Sequence, residues 1–389
     1  MQSGKYDFIA QERIIYGRPA AQAIGDVAEE LGARKLLVVS SKTLNRKTNV
    51  IAGLRAQLGD RIVDVFDETE EHSPLSAVLR AAAAMRACGA DLVVTVGGGS
   101  PIDMVKVAQI VLAEDIRSEE ALLEYRITMK PDGSWNVPPS KPSPLRQIIV
   151  PTTLSAAEFS IIGGATDRKR QVKDLYMNKT ICGQMVILDP ALTVHTPSWL
   201  WLSTGIRAVD HAVESICSST PVPLVSATGI EGLRMLRESL PANLREPGNL
   251  DMRLQSQLGV WLASTGIGRV QWGASHGIGH QLGAVAGVAH GHTSCVMLPA
   301  VMRYNQSHVA DRLARIAAEA FGQPGGDAAG LVQGLVAELG MPTRLSAVKV
   351  DRSMFERIAA SAMQSPMVRS NPRPITEPAQ VIDILESAL

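Results

Sequence analysis

The chain of 389 residues carries 38 Lys and Arg against 38 Asp and Glu, so its net charge is zero, and hydrophobic residues make up 46% of it. That length accommodates two domains with separate cores, and the charge balance argues against nucleic acid or another polyanion as partner. The N-terminus lacks the layout of a signal peptide and no apolar run reaches membrane-spanning length, so a cytoplasmic protein with no membrane partner is expected.

In chain order, a helical stretch ending at Leu31-Gly32 precedes a strand over residues 35–40, and a second strand covers 61–66. Residues 76–89 are Ala-rich with helical period, and Gly89 serves as the C-cap. Strands at 91–96, 146–150 and 184–188 follow, with an aperiodic Pro-, Ser- and Gly-rich surface loop at 125–145. Strands alternating with helices indicate a parallel α/β sheet. From residue 190 helical periodicity dominates. The expected organisation is an α/β domain over 1–189 and an all-α domain over 190–389, and active sites favour the cleft between two such domains.

The segment Val94-Thr-Val-Gly97-Gly98-Gly99-Ser100-Pro101-Ile-Asp103 runs from strand into helix. Its glycines let an anion approach the backbone. Ser100 is placed as N-cap, Pro101 at the first helical position and Asp103 in the first turn. Free N–H groups at that start suit a phosphate, although a tight turn without ligand has the same local pattern. Pro151-Thr152-Thr153 ends another strand and adds two hydroxyls at the edge where open α/β sheets bind ligands. Threonines bonded only to backbone are the plain alternative. Together the two segments favour a nucleotide cofactor.

Five of the eight histidines lie close together in sequence or motif: His211, His276, His280, His290 and His292. His276 and His280 are spaced to share one helix face. Imidazole is the commonest metal ligand and general acid or base, so the cluster implies metal binding, proton transfer or both. Four residues before His211, where an acidic ligand would share its face, stands Arg207. The scattered Cys88, Cys182, Cys217 and Cys295 read as reduced thiols, not a thiolate site. Trp199 and Trp201 read as packing at the start of the helical domain.

With Gly97-Gly-Gly-Ser-Pro-Ile-Asp103-Met-Val-Lys106, Pro151-Thr-Thr153, His211-Ala-Val-Glu214 and His276-Gly-Ile-Gly-His280 in this order, the chain resembles the iron-containing (group III) alcohol dehydrogenases over nearly its whole length. The resemblance implies a dehydroquinate-synthase-like fold: a dinucleotide-binding α/β domain, a helical domain and an active site between them, in a homodimer. It implies a cofactor, NAD or NADP, with its pyrophosphate near Gly97, Gly98, Gly99 and Ser100, and with Asp103, Thr152, Thr153 and Lys173 beside it. Ser41 stands where NAD-preferring members often carry Asp for the adenosine ribose. Serine does not repel a 2′-phosphate, so NADP(H) stays open and Lys42 favours it.

In metal-using members of that family the ligands are one Asp and three His. The matching positions here are Arg207, His211, His276 and His290, the histidines holding iron or zinc only if a metal is bound. A guanidinium cannot ligate a cation, and its charge opposes one. Asp210, next to His211, is a poor substitute ligand and a better partner for Arg207. The maleylacetate reductases, a branch of the family, also lack the Asp and are understood to work without metal. The spacing from Thr152-Thr153 to Glu158 and the tail Ser370-Asn-Pro-Arg-Pro374 resemble that branch. The departures are the arginine itself and Ser155-Ala-Ala before Glu158.

Arg207 then offers a bidentate seat for a substrate carboxylate. His280 is the candidate acid, and His211, His276 and His290 hold the carbonyl oxygen or a second carboxylate. The expected activity is NAD(P)H-dependent reduction of an unsaturated or keto carboxylic acid. A metal-dependent alcohol dehydrogenase, a dehydroquinate-synthase-like lyase and a catalytically silent relative are the competing readings. For Arg207 the plain alternative is an ion pair with Asp210 or Glu214 on its own helix.

Overall fold

The computed structural model describes residues 4–130, 135–170 and 172–389, and they divide into two compact units. One unit, Phe8–Thr196, is built on a six-stranded sheet. Its strand order is Arg13–Tyr16, Met185–Leu188, Gln147–Pro151, Leu92–Gly97, Leu36–Ser40, Ile62–Phe66, and every pairing is parallel. Alternate residues of these strands feed two cores. Leu36, Val38, Val94, Val96, Ile148 and Ile187 pack with the helices Ala20–Glu30 and Val50–Leu58. Leu37, Val39 and Val93 face the other way, onto Leu75–Ala87 and Gly99–Ala113. A sheet covered on both faces needs apolar residues at consecutive positions, hence the short uninterrupted runs of Leu and Val.

Five of these strands coincide with the expected ones. The edge strand Arg13–Tyr16 was not expected: only its middle residues are half-buried, so it lacks a long apolar run. An antiparallel hairpin, Ile162–Asp167 with Val172–Met177, also escaped the periodicity argument. The expected loop 125–145 contains a short hairpin, Thr128–Met129 with Trp135–Asn136, and its residues 131–134 lie outside the described ones.

The other unit contains Pro197–Leu389, and the chain up to Asp7 belongs with it. It is helical. Its core joins Ala274, Ile278 and Leu282 of one helix to Val296, Met297, Ala300 and Val301 of the next, and to Phe355, Ile358, Val381 and Leu385 near the C-terminus. The division therefore falls after Thr196, not after residue 189, for a local reason. The Asp189 carboxylate accepts from Ala20 N at 2.7 Å, and Thr196 Oγ1 donates to Thr152 O at 2.6 Å, tying this stretch to the sheet unit. At the N-terminus Tyr6 donates to Thr265 O and Asp7 O accepts from Arg269 Nε, which ties the leading residues to the helices. Among the described residues no helix is long and apolar enough to cross a membrane.

Candidate active site

In a parallel sheet every strand ends at the same edge. Here the ends of Leu36–Ser40, Leu92–Gly97 and Gln147–Pro151 bring Ser41, Gly97–Ser100 and Thr152–Thr153 together. The connections that leave the neighbouring strands Leu36–Ser40 and Leu92–Gly97 run in opposite directions along the sheet, making the crevice where such folds bind ligands. Thr152 N donates to Gly97 O at 2.9 Å, locking the two turns side by side. A Cβ on Gly98 would lie 2.9 Å from Thr153 Cγ2, so only glycine permits this approach. The helix begins at Gly99 with Gly98 as N-cap, which corrects the placement of Ser100 as the cap. Ser100 instead sits inside the first turn, where its Oγ accepts from His72 N and its carbonyl accepts from Ser73 Oγ. The helix starts early because the glycines themselves adopt the turn.

Thr153 Oγ1 is buried with no hydrogen-bond partner among the described residues, beside the free N–H groups of this helix start. An orphaned hydroxyl next to an electropositive helix terminus fits a phosphate. Asp103 points to the hairpin: its Oδ2 accepts from Gly164 N at 3.2 Å and stands 3.9 Å from Lys173 Nζ. Lys173 lies across Gly164, at a spot a Cβ would fill. Asp103 thus faces the hairpin and Lys173, not the open side of the glycine turn. Ser41 caps the helix Lys42–Lys47 through its Oγ, which accepts from Leu44 N at 3.2 Å, so its hydroxyl is already engaged.

The sheet unit also buries Glu158, whose carboxyl is pushed up to about 7 by burial. A carboxyl raised on folding adds stability that is fully present below its unfolded range and is lost as pH rises through about 7. The neutral isostere Glu158→Gln should therefore match the parent in Tm near pH 5 and melt several degrees higher at pH 8.5. Parallel melting curves at both pH values would reject this assignment.

In the helical unit, Arg207, His211 and Ser215 lie one turn apart on Ser198–Ile216. Facing them in reverse order come His280 and His276 of Ala274–Ala286, then Trp272 just before that helix. The antiparallel rungs are Arg207 Nη2 to His280 Nε2 at 3.5 Å, the stacked rings of His211 and His276 at 5.1 Å, and Trp272 Nε1 to Ser215 Oγ at 3.2 Å. Trp272 also stacks on His211 at 5.0 Å and lies 4.0 Å from His276. His290, the first residue of the next helix, stacks on His280 at 5.3 Å.

Arg207 is buried, and burial pulls its basicity down. Its Nη1 donates to Ser294 Oγ at 3.1 Å and lies 3.9 Å from Asp210 Oδ2, so the ion pair with its own helix is present but loose. Asp210 Oδ2 accepts from Ser275 at 2.9 Å and Ser294 at 2.6 Å, and burial raises its carboxyl to about 6. Glu214 closes the far side. It accepts from Gly273 N, Ser275 N and His276 N, and its Oε2 lies 2.7 Å from His276 Nδ1. It thereby caps the helix that carries both histidines. Burial and then the neighbouring Asp210 push Glu214 up to about 8, against those backbone donors. Asn371, from the N-P-R-P tail, accepts from Ala274 N at 3.0 Å and completes the cap. Burial, followed by the field of Arg207, drives His211 and His276 well below the usual imidazole range, so both are neutral.

Could these residues hold the ion of the metal-using relatives? His211 Nδ1 and His276 Nε2 are buried without partners among the described residues, as ligand nitrogens would be. Yet the fourth position presents a guanidinium, and its charge acts on both imidazoles. Asp210, Glu214 and His276 do offer ligand atoms within 4.8 Å of one another. The Glu214 oxygens, however, already serve three backbone N–H groups, and Asp210 Oδ2 serves two hydroxyls. The donor set does not match an ion held by one carboxylate and three imidazoles.

Sequence reasoning missed Ser275, Ser294 and Trp272. Nothing in their spacing marks them, because Trp272 and Ser275, at the start of the His276 segment, and Ser294, on the next helix, reach Ser215, Asp210 and Arg207 of Ser198–Ile216 across element boundaries.

A glycine turn at the ligand edge of an all-parallel sheet, in a chain that also carries a buried arginine–histidine array, defines a dinucleotide-dependent oxidoreductase. Comparison with known proteins agrees. Residues 11–190 match the iron-containing alcohol dehydrogenases, and residues 201–389 match the C-terminal part of the Fe-containing alcohol dehydrogenase family. A dehydrogenase from Gibberella moniliformis is 32% identical, covering 96% of this chain and 95% of that one. The maleylacetate reductase of Rhizobium sp. is 30% identical over 95% of this chain and 93% of its own. The crystal structure of maleylacetate reductase from Agrobacterium tumefaciens superposes with a TM-score of 0.84 at 28% identity, covering 100% of this chain and 99% of that one. The chain belongs to the iron-containing alcohol dehydrogenase family and is an NAD(P)-dependent oxidoreductase.

Proposed function

We propose that this protein reduces a small keto or unsaturated carboxylic acid with NAD(P)H, in the manner of the maleylacetate reductases it is similar to, and does so without a metal ion. The observation that carries this reading is Arg207: a desolvated guanidinium in contact with His280, at the position of the family's metal-binding carboxylate. Its ion pair with Asp210 is loose, at 3.9 Å. It thus has capacity for an anion, and in a dry site a charge-assisted hydrogen bond is strong.

The reduced nicotinamide, when bound, supplies the hydride. Gly97–Gly99, Thr152, Thr153 and Lys173 hold its phosphates. Arg207 binds the substrate carboxylate and fixes the electrophilic carbon. Neutral His211 and His276 present nitrogen atoms to the substrate oxygen without adding charge, and the proton reaches the product from His280 or from water.

The test is metal analysis of protein purified without chelators, combined with NADH and NADPH oxidation over keto acids, maleylacetate and simple aldehydes. Turnover of acids that persists after chelator treatment, in protein with substoichiometric metal, is the expected result. Stoichiometric iron or zinc, with activity lost on its removal, would return the site to Lewis-acid chemistry.

A further inference from the structure

Lys106 follows the glycine-rich turn by two helical turns and is wholly buried. An ammonium in that position is tolerated only if its N–H groups are met. Its Nζ donates to Ala157 O at 2.5 Å and to Ile162 O at 2.9 Å, and it stands 3.7 Å from Asp103 Oδ1. Two of its N–H groups thus meet backbone carbonyls, and the Asp103 carboxylate stands close enough to offset its charge. Both carbonyls belong to the segment that follows Thr152-Thr153. That segment reverses at Ala156, a buried non-glycine residue with φ of 63°. Such a conformation is strained for a residue with a side chain and persists only where its surroundings impose it. The same segment carries Thr153 against Gly98 and Ser155 against Gly99.

We propose that Lys106 is a positioning residue of the cofactor site. Its ammonium, gripped by backbone carbonyls, holds residues 152–162 in register with the glycine turn, so that the Thr153 hydroxyl faces the dinucleotide phosphates. Lys106 does not itself touch the cofactor, because it lies beneath the surface. The inference rests on the reading of Gly97–Gly99 and Thr153 as the phosphate site.

Lys106→Met keeps the stem and removes the charge. The expected result is a folded protein whose Kd for NADH or NADPH, read by nicotinamide fluorescence, rises about tenfold or more, while kcat at saturating cofactor stays within about threefold. General destabilisation would instead lower the active fraction and leave Kd alone. Thr153→Val, with Lys106 intact, separates the two ideas. If it does not weaken cofactor binding, the phosphate-site reading fails, and this inference with it. If it does, and Lys106→Met leaves Kd unchanged, Lys106 is structural only and the inference is overturned. Should the single variant not fold, the double variant Lys106→Met with Glu158→Gln also neutralises the nearby buried carboxyl, and the same rise in Kd is required of it.

Discussion

Arg207→Ala should raise KM for carboxylate substrates by about 10- to 150-fold and leave neutral aldehydes nearly unaffected, because a hydrogen-bonded charge contributes about 1.5–3 kcal/mol. The size of the effect follows from desolvation. The guanidinium is 6% exposed, so water cannot replace it as the partner of an incoming anion. Arg207→Lys keeps the charge but loses the fork that matches a carboxylate, and an intermediate KM is expected. The alanine variant also strips Asp210 of its guanidinium partner, and breaking a buried pair costs about 3–5 kcal/mol of stability. Adding Asp210→Asn removes the stranded charge. If anchoring is right, stability recovers in that double variant while the selective loss for acids remains. Equal losses across acids and aldehydes would mean that Arg207 serves the architecture alone.

The second large effect belongs to Glu214. Its carboxylate serves Gly273 N, Ser275 N and His276 N and reaches His276 Nδ1 at 2.7 Å. In Glu214→Ala these groups lose their partner in a dry setting, where each unsatisfied donor costs about 1–3 kcal/mol. The helix Ala274–Ala286 also loses the side-chain acceptor that caps its N-terminus. A loss of about 3–5 kcal/mol is expected for the helical unit, measured by chemical denaturation, together with a fall in kcat as His276 loses its orientation. Glu214→Gln keeps an oxygen acceptor and should lose less than half as much stability. Were the alanine variant as stable as the parent, the cap would be dispensable and the helix held by its apolar face alone.

These variants bear on how far the chemistry was legible before the fold. The glycine turn was legible because a strand, three consecutive glycines and a helix start are contiguous in the chain. Asp103 and Ser41 were legible as residues of that site but not in their roles. Asp103 turned out to serve a hairpin that its own segment gives no hint of, and the Ser41 hydroxyl is spent on its own helix. The unexpected edge strand Arg13–Tyr16 depends on the partner Met185–Leu188, more than 160 residues away in the chain. Pairing at that separation leaves no local trace.

The histidine array divides along the same line. Sequence alone determined part of its membership: the spacing of Arg207, His211 and Glu214, and of His276 and His280, places each set on one face of a helix, and helical periodicity is local. It also determined that the fourth family position is a cation. Only the tertiary structure decided how the two faces meet. Antiparallel packing sets Arg207 beside His280 and His211 beside His276. Packing against the neighbouring helices also brings Ser294 to the guanidinium and spends Glu214 on a helix terminus. Those pairings depend on contacts between residues 60 to 90 positions apart, and on the removal of water from between them. That desolvation pulls down the basicity of Arg207 and, with the field of its guanidinium, drives the two imidazoles well below their usual range.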